Sequence, residues 1–489
     1  MFNEHLKLNR YWGDKMKRVK TTIICLLAVV ITNSAVAAVR YVPDHYPNIQ
    51  AAVNACSNGD TVVVAPGIYT GSSNRDITFN GKSITVRSID PTDPNVVNST
   101  VIDCDANDRG FVFEMGENAD STVSGLTITN GYAFLGGAVY CYNNSSPSII
   151  NCVITGNSAV LGGAIMCANN NTRPKISNCK IIANSALFGG GGIYCNGASP
   201  EIRNCVITGN SSLYGGAIYS HNAGNPVIAN CTISANTASN SAGAIYCYES
   251  SNLTINNCIL WGDTAGYAPE ILVGNSGTGT SIQISYCDIE NPDENVVYEP
   301  GGTINWGEGN IDANPQFTQM GYLSSDESFI AGDYHLHEES PCIDAGDPAF
   351  VTGPDETDID GEPRISGAKI DMGADELVVA IPAEVKITPK TLNLASKGNW
   401  ITCVIRLPDD YDVADVDPDT IKLNEEISPV SRKINQRAQT LLVKFDRSDI
   451  EQMLDGVTEN PVELSVSGQL TDDTAFQGSD TITVVSKGG

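Results

Sequence analysis

The chain has 489 residues, 41% of them hydrophobic, enough apolar surface for two or three packed domains. Its formal net charge of −29 argues against direct binding to nucleic acid or an anionic membrane surface. The 46 glycines carry no three-residue period, which excludes a collagen helix.

Residues 1–37 read as a secretory signal. Lys17, Arg18 and Lys20 form a basic head, Thr21 to Ile31 is mostly apolar, and Ala35-Val36-Ala37 offers a small-residue cleavage site. Met16, just before the basic head, is an alternative start. The apolar run is short for a membrane span, and no later segment is long enough for one. The expected location is therefore the cell exterior, secreted or surface-held, where cysteines meet an oxidising environment.

Pro47 to Ala55 reads as a short amphipathic helix, with Ile49 and Val53 four apart and Ser57-Asn58-Gly59-Asp60 ending it. Strands are expected at Thr61–Val64, Ile84–Val86 and Gly110–Phe113. From Ser124 to Ile289 the chain repeats. Cys152, Cys179, Cys205, Cys231 and Cys258 step by 27, 26, 26 and 27 residues, each preceded by Asn and followed by a Val/Ile/Leu-rich stretch ending in Asn or Asp. Each repeat holds three short apolar stretches, too short for helix pairs, which fits one coil of a parallel β-helix with copies paired ~4.8 Å apart. The Pro47–Ala55 helix then caps the open end of the stack. The expected fold is all-β: a right-handed parallel β-helix over residues 38–310, an acidic closing module over 311–376 and a small β-sandwich-like domain over 380–489.

Alternation along Ile193–Cys195 puts Ile193 and Cys195 on one face and Tyr194 on the other. An interior of Ile and Cys sends Tyr140, Met166, Tyr194, Tyr219 and Tyr246 to the outside of one sheet. Asn151, Asn178, Asn204, Asn230 and Asn257 fall at a bend, where an inward stack would satisfy backbone groups. The 14 cysteines left after signal removal are expected to be mostly free, buried thiols, because parallel side chains one coil apart give poor disulfide torsions.

Ile49-Gln-Ala-Ala-Val53, followed by Asn58-Gly-Asp-Thr-Val-Val-Val-Ala-Pro-Gly-Ile-Tyr69, resembles the opening of bacterial β-helix proteins of the pectate-lyase-like superfamily. The Gly-Gly-Ala-Ile runs are similar, more weakly, to repeats of chlamydial polymorphic outer-membrane proteins. Ser340-Pro-Cys-Ile-Asp-Ala-Gly346, Asp358–Arg364 and Ile370–Glu376 resemble the choice-of-anchor module that closes bacterial β-helix surface proteins. The resemblance implies the fold and the cell exterior; one scaffold hosts many activities.

No catalytic constellation is recognised. The coils offer only Glu201, Glu249, Asp263 and Glu270 as acids, and no motif of the polygalacturonase type occurs. Glu201 and Arg203 beside Lys175 read as a solvated face. The tyrosine column, Tyr140, Tyr194, Tyr219 and Tyr246, is the candidate carbohydrate-binding surface, with a polysaccharide or cell-surface glycan as partner. The coils from Leu126 to Cys287 hold four acids and four bases, which suits a neutral glycan. Between Asp288 and Glu376 there are 22 acidic residues against Arg364 and Lys369, and Asp355, Asp358 and Asp360 before Gly361 make structural calcium the one expected cofactor. A polysaccharide lyase or glycoside hydrolase, and a purely structural adhesin-like protein, are the alternatives.

Overall fold

A computed structural model describes residues 37–274, 279–325, 328–353, 356–378, 380–394, 398–408, 411–424, 426–454, 460–471 and 474–485. The signal-like segment therefore lies outside the described residues, apart from Ala37. Parallel strands stack into an eleven-stranded sheet, two nine-stranded sheets and a six-stranded sheet. Each strand pairs in register with its copy one coil on, as Ile176 does with Ile202 and Ile202 with Ile228. Helix α1 (Ile49–Asn54) covers the N-terminal end, its first turn capped by Asn48 accepting the Ala51 N–H. Its buried Ile49, Ala52 and Val53 join the core that runs the length of the solenoid.

The interior is built as the alternation requires. Ile149, Ile176, Ile202, Ile228 and Ile255 form one buried column and Cys152, Cys179, Cys205, Cys231 and Cys258 another. All fourteen cysteines of the described residues are free and buried. Four successive coils turn into the sheet of Ile193–Asn196, here the tyrosine sheet, through paired glycines. Gly190 takes the left-handed conformation, φ 63°, and Gly191 packs against the next coil. A Cβ on Gly191 would stand 2.4 Å from the Gly216 oxygen and 2.5 Å from the Ser211 oxygen. Backbone on both sides cannot yield, so Gly191→Ala is expected to cost about 2–3 kcal/mol, read as a lowered urea midpoint.

Two expectations about the coil are corrected. The six-stranded sheet, formed by strands such as Tyr132–Leu135, Ser158–Leu161 and Thr264–Tyr267, is a fourth strand per coil where three were expected. The inward asparagines are also not those at the bend. Asn151, Asn178, Asn204, Asn230 and Asn257 are left-handed, φ 50–54°, which breaks the alternation at the bend. The interior stack is instead Asn157, Asn184, Asn210 and Asn236, ending in Asp263. The side-chain oxygens of Asn184, Asn210, Asn236 and Asp263 each accept both the backbone N–H and the amide of the asparagine one coil before. These strands (Val153–Thr155, Val206–Thr208 and their copies) make up the other nine-stranded sheet, here the ladder sheet.

Three of the bend asparagines bond the closing module, and Asn257 also donates to Asn230 at 3.1 Å, the neighbour bond expected at the bend. Asn178 and Asn204 donate to the Thr357 carbonyl, and Asn257 accepts the Asp347 N–H at 2.7 Å. Ala374 N–H reaches Thr232 Oγ1 at 3.0 Å. Beyond it, a five-stranded and a four-stranded sheet share one core that includes Ile401, Cys403, Ile405 and Phe445. Its short helix, Arg447–Met453, is capped by Asp446. Among the described residues no helix is long and apolar enough to cross a membrane.

Candidate functional site

The tyrosine column does lie outside the barrel, but it is not a free platform. Tyr194 and Tyr219 are each 4% exposed, and Tyr140 and Tyr246 are half-buried. The six-stranded sheet stands over them, and Leu135, Leu161 and Tyr214 pack with Met166, Tyr194 and Tyr219 into a second core. A Cβ on Gly189 would touch the Tyr219 ring at 2.2 Å, so that glycine is what seats the ring. Tyr219 stacks on Tyr246 at 4.9 Å and meets Tyr194 edge-on, and burial pushes all three phenols up. The error was to equate outward with exposed.

The surface that is exposed lies on the other face of the same six strands. Register aligns Tyr132, Ser158, Ser185, Ser211, Thr237 and Thr264 into one row of hydroxyls. Ser185 donates to Ser158 at 3.1 Å, and Thr237 and Thr264 are 3.0 Å apart. Beside them run Phe134, Val160, Leu187 and Leu213, with Phe134 68% and Leu187 76% exposed. The buried face carries Ala133, Ala159, Ala186 and Ala238. None of the six strands contains a charged residue, on a chain of net charge −29. The Ser/Thr-Ala pair repeated in four of the six coils, at Ser158, Ser185, Thr237 and Thr264, was the sequence signal for this strand.

The coil acids are used in packing. Glu201 pairs with Arg203 and Glu249 with His221 at 2.7 Å, while Asp263 and Glu270 are buried together. The acidic module satisfies its carboxylates largely with backbone. Asp358, fully buried, accepts N–H groups of Asp360, Glu362 and Glu376. Glu376 accepts those of Ser366 and Asp371, and buried Arg364 donates to the carbonyls of Asp371, Gly373 and Ala374. Of the expected calcium loop, Asp355 lies outside the described residues, Asp358 accepts backbone N–H groups of its own loop, and Asp360 faces Lys180 and His335.

Two openings of about 80 and 110 Å³ flank Ile359 and Asp360, where the module crosses the ladder sheet. In the first, Asp360, ahead of Asp333, holds the His335 imidazolium up at about 10, and burial raises Asp375 to about 6.

The sequence profile described as the right-handed β-helix region matches residues 66–227 and 138–318, together more than half of the chain. The chain belongs to the right-handed β-helix family. No curated protein matches this β-helix protein. A solved pectate lyase is similar at 17% identity with a TM-score of 0.39, over 69% of this chain and 96% of that one. A likeness of that order transfers neither substrate nor site.

Proposed function

We propose that this β-helix protein acts at the cell exterior as a carbohydrate-binding or surface-presenting protein, and that its glycan contact is the outer face of the six-stranded sheet. One observation carries the reading: an uncharged strip six coils long, with a row of hydroxyls beside a four-coil apolar row in which Phe134 and Leu187 are exposed. Sugar rings need both, since their hydroxyls hydrogen-bond and their C–H faces pack on apolar and aromatic groups. Exposed apolar side chains such as Phe134 and Leu187, on a chain of net charge −29, mark an interaction surface. The neutrality of the strip selects a neutral polysaccharide over an anionic one. The signal-like N-terminus supports the exterior location.

The test is affinity electrophoresis through gels containing neutral or anionic polysaccharides. Retardation by a neutral glycan is expected. The double variant Phe134→Ala, Leu187→Ser removes two exposed side chains and should weaken it about tenfold or more, since each buries up to ~2 kcal/mol of apolar surface on contact. Migration unaffected by every neutral glycan, or retardation unchanged in the variant, would remove the strip from this role.

A further inference from the structure

The opening between the ladder sheet and the closing module brings together a histidine and two carboxylates from three separate stretches of chain. His335 lies on the strand Asp333–Leu336, Asp360 in the loop that crosses the barrel and Asp375 in the segment that seals against Thr232. We propose that His335, Asp360 and Asp375 form a binding site for a divalent transition metal of the zinc and manganese class.

The geometry supports this in three ways. The ligand atoms all lie within 4.8 Å of one another. Ligands held about 2.1 Å from one cation stand roughly 3–4 Å apart, so closure by under about 1 Å completes the set. Each ligand is aimed by a partner on its far side. Nδ1 of His335 is bonded to Asp333, which leaves Nε2, 3.2 Å from Asp360 Oδ2, facing the site. A carboxylate behind the imidazole is the usual arrangement for a metal-bound histidine. Asp360 divides its oxygens, with Oδ1 3.3 Å from Lys180 Nζ and Oδ2 toward the histidine, so the lysine does not occupy the site. Asp375, 5% exposed, is fixed by the Leu336 N–H at 2.8 Å on one oxygen. The adjoining opening of about 80 Å³ has room for water ligands and gives an entry path.

The donor set chooses the ion. One imidazole with two carboxylates suits zinc or manganese, whereas calcium and magnesium take oxygen alone. Binding displaces the proton that His335 shares with Asp360, and that proton leaves to solvent. Because the ligands all belong to the module and Asp360 also holds Lys180 of the barrel, the ion would fasten the module where it crosses the coils.

The experiment uses the chain purified without a histidine tag and stripped by chelator. Zinc, manganese and calcium are titrated separately by calorimetry, with the melting temperature followed in parallel. One equivalent of zinc or manganese should bind and raise the melting temperature. His335→Gln and Asp375→Asn should each weaken binding at least tenfold while the metal-free circular dichroism stays that of the parent. Absence of stoichiometric zinc or manganese binding overturns the site, as does undiminished binding in both variants. Binding of calcium alone overturns the assignment of ion class.

Discussion

Asn210→Ala is expected to cost about 3–5 kcal/mol, among the larger losses a single substitution can bring. The Asn210 amide donates to Ile181 O at 2.9 Å, Thr208 O at 3.2 Å and Asn236 Oδ1 at 2.9 Å. Its oxygen accepts from the Asn184 backbone and amide nitrogens, both at 3.0 Å. Truncation orphans buried groups in the coil above and the coil below, with no water to replace the lost partners. In a solenoid each coil is stabilised by its neighbours, so the damage divides the stack. Hydrogen exchange of the Ile181 and Ile207 amides, followed through the urea transition, reads the effect. A midpoint within experimental error of the parent would show that the ladder contributes little.

Asp263→Asn is expected to act in the opposite direction, and only at neutral and alkaline pH. Asp263 closes the ladder by accepting from Asn236, and Glu270 accepts its backbone N–H at 3.2 Å. Asp263 Oδ2 and Glu270 Oε2 are buried without a hydrogen-bond partner among the described residues. Burial raises Asp263 to about 7; burial, then the charge of Asp263, raises Glu270 well above the carboxylate range. The groups facing the pair are Asn236, Glu290 and, from the module, Tyr334, none of them a cation. The folded chain therefore holds more protons than the unfolded one between the ordinary Asp value of 3.8 and about 7. Unfolding free energy then falls as pH rises through that window. Asparagine at 263 keeps the acceptor for Asn236, gives Glu270 a donor and carries no charge. A gain of at least about 1 kcal/mol at pH 8, with little change at pH 4, should appear in paired urea melts. Parallel pH profiles for the parent and the variant would exclude the carboxyl pair as the cause.

The spacing of the cysteines made the solenoid legible, because a 26- or 27-residue period with apolar triplets has few other packings. Alternation correctly placed Ile193 and Cys195 inside and Tyr194 outside. It could not show that a second sheet covers Tyr194 and Tyr219, since that depends on where the chain goes after Asn184 and Asn210. Two asparagines flank four of the five Cys units, and the period alone treats them alike. The chain turns left-handed at Asn178 itself, φ 51°, but one residue ahead of Asn184, at Ala183, φ 53°, and it is Asn184 that turns inward. In the module, composition suggested that the carboxylates need counterions. Asp358 and Glu376 take backbone N–H groups instead, partners that no residue count reveals. His335 and Asp375 are 40 residues apart in sequence and meet only through the fold.

The hydroxyl and apolar rows share the solenoid's own ruler. Their length is quantised, because Ser158, Ser185, Ser211, Thr237 and Thr264 each mark one rung and no fraction of a rung can be added. Loss or gain of one whole repeat, such as residues 185–210, would join Asn184 to Ser211 with the ladder chemistry intact at the junction. Gene slippage at a single repeat can thus shorten or lengthen the strip by one increment of ~4.8 Å, leaving the cap at one end and the C-terminal sheets at the other. A reach that changes in such steps gives selection a direct handle on ligand length, independent of the chemistry of any one side chain.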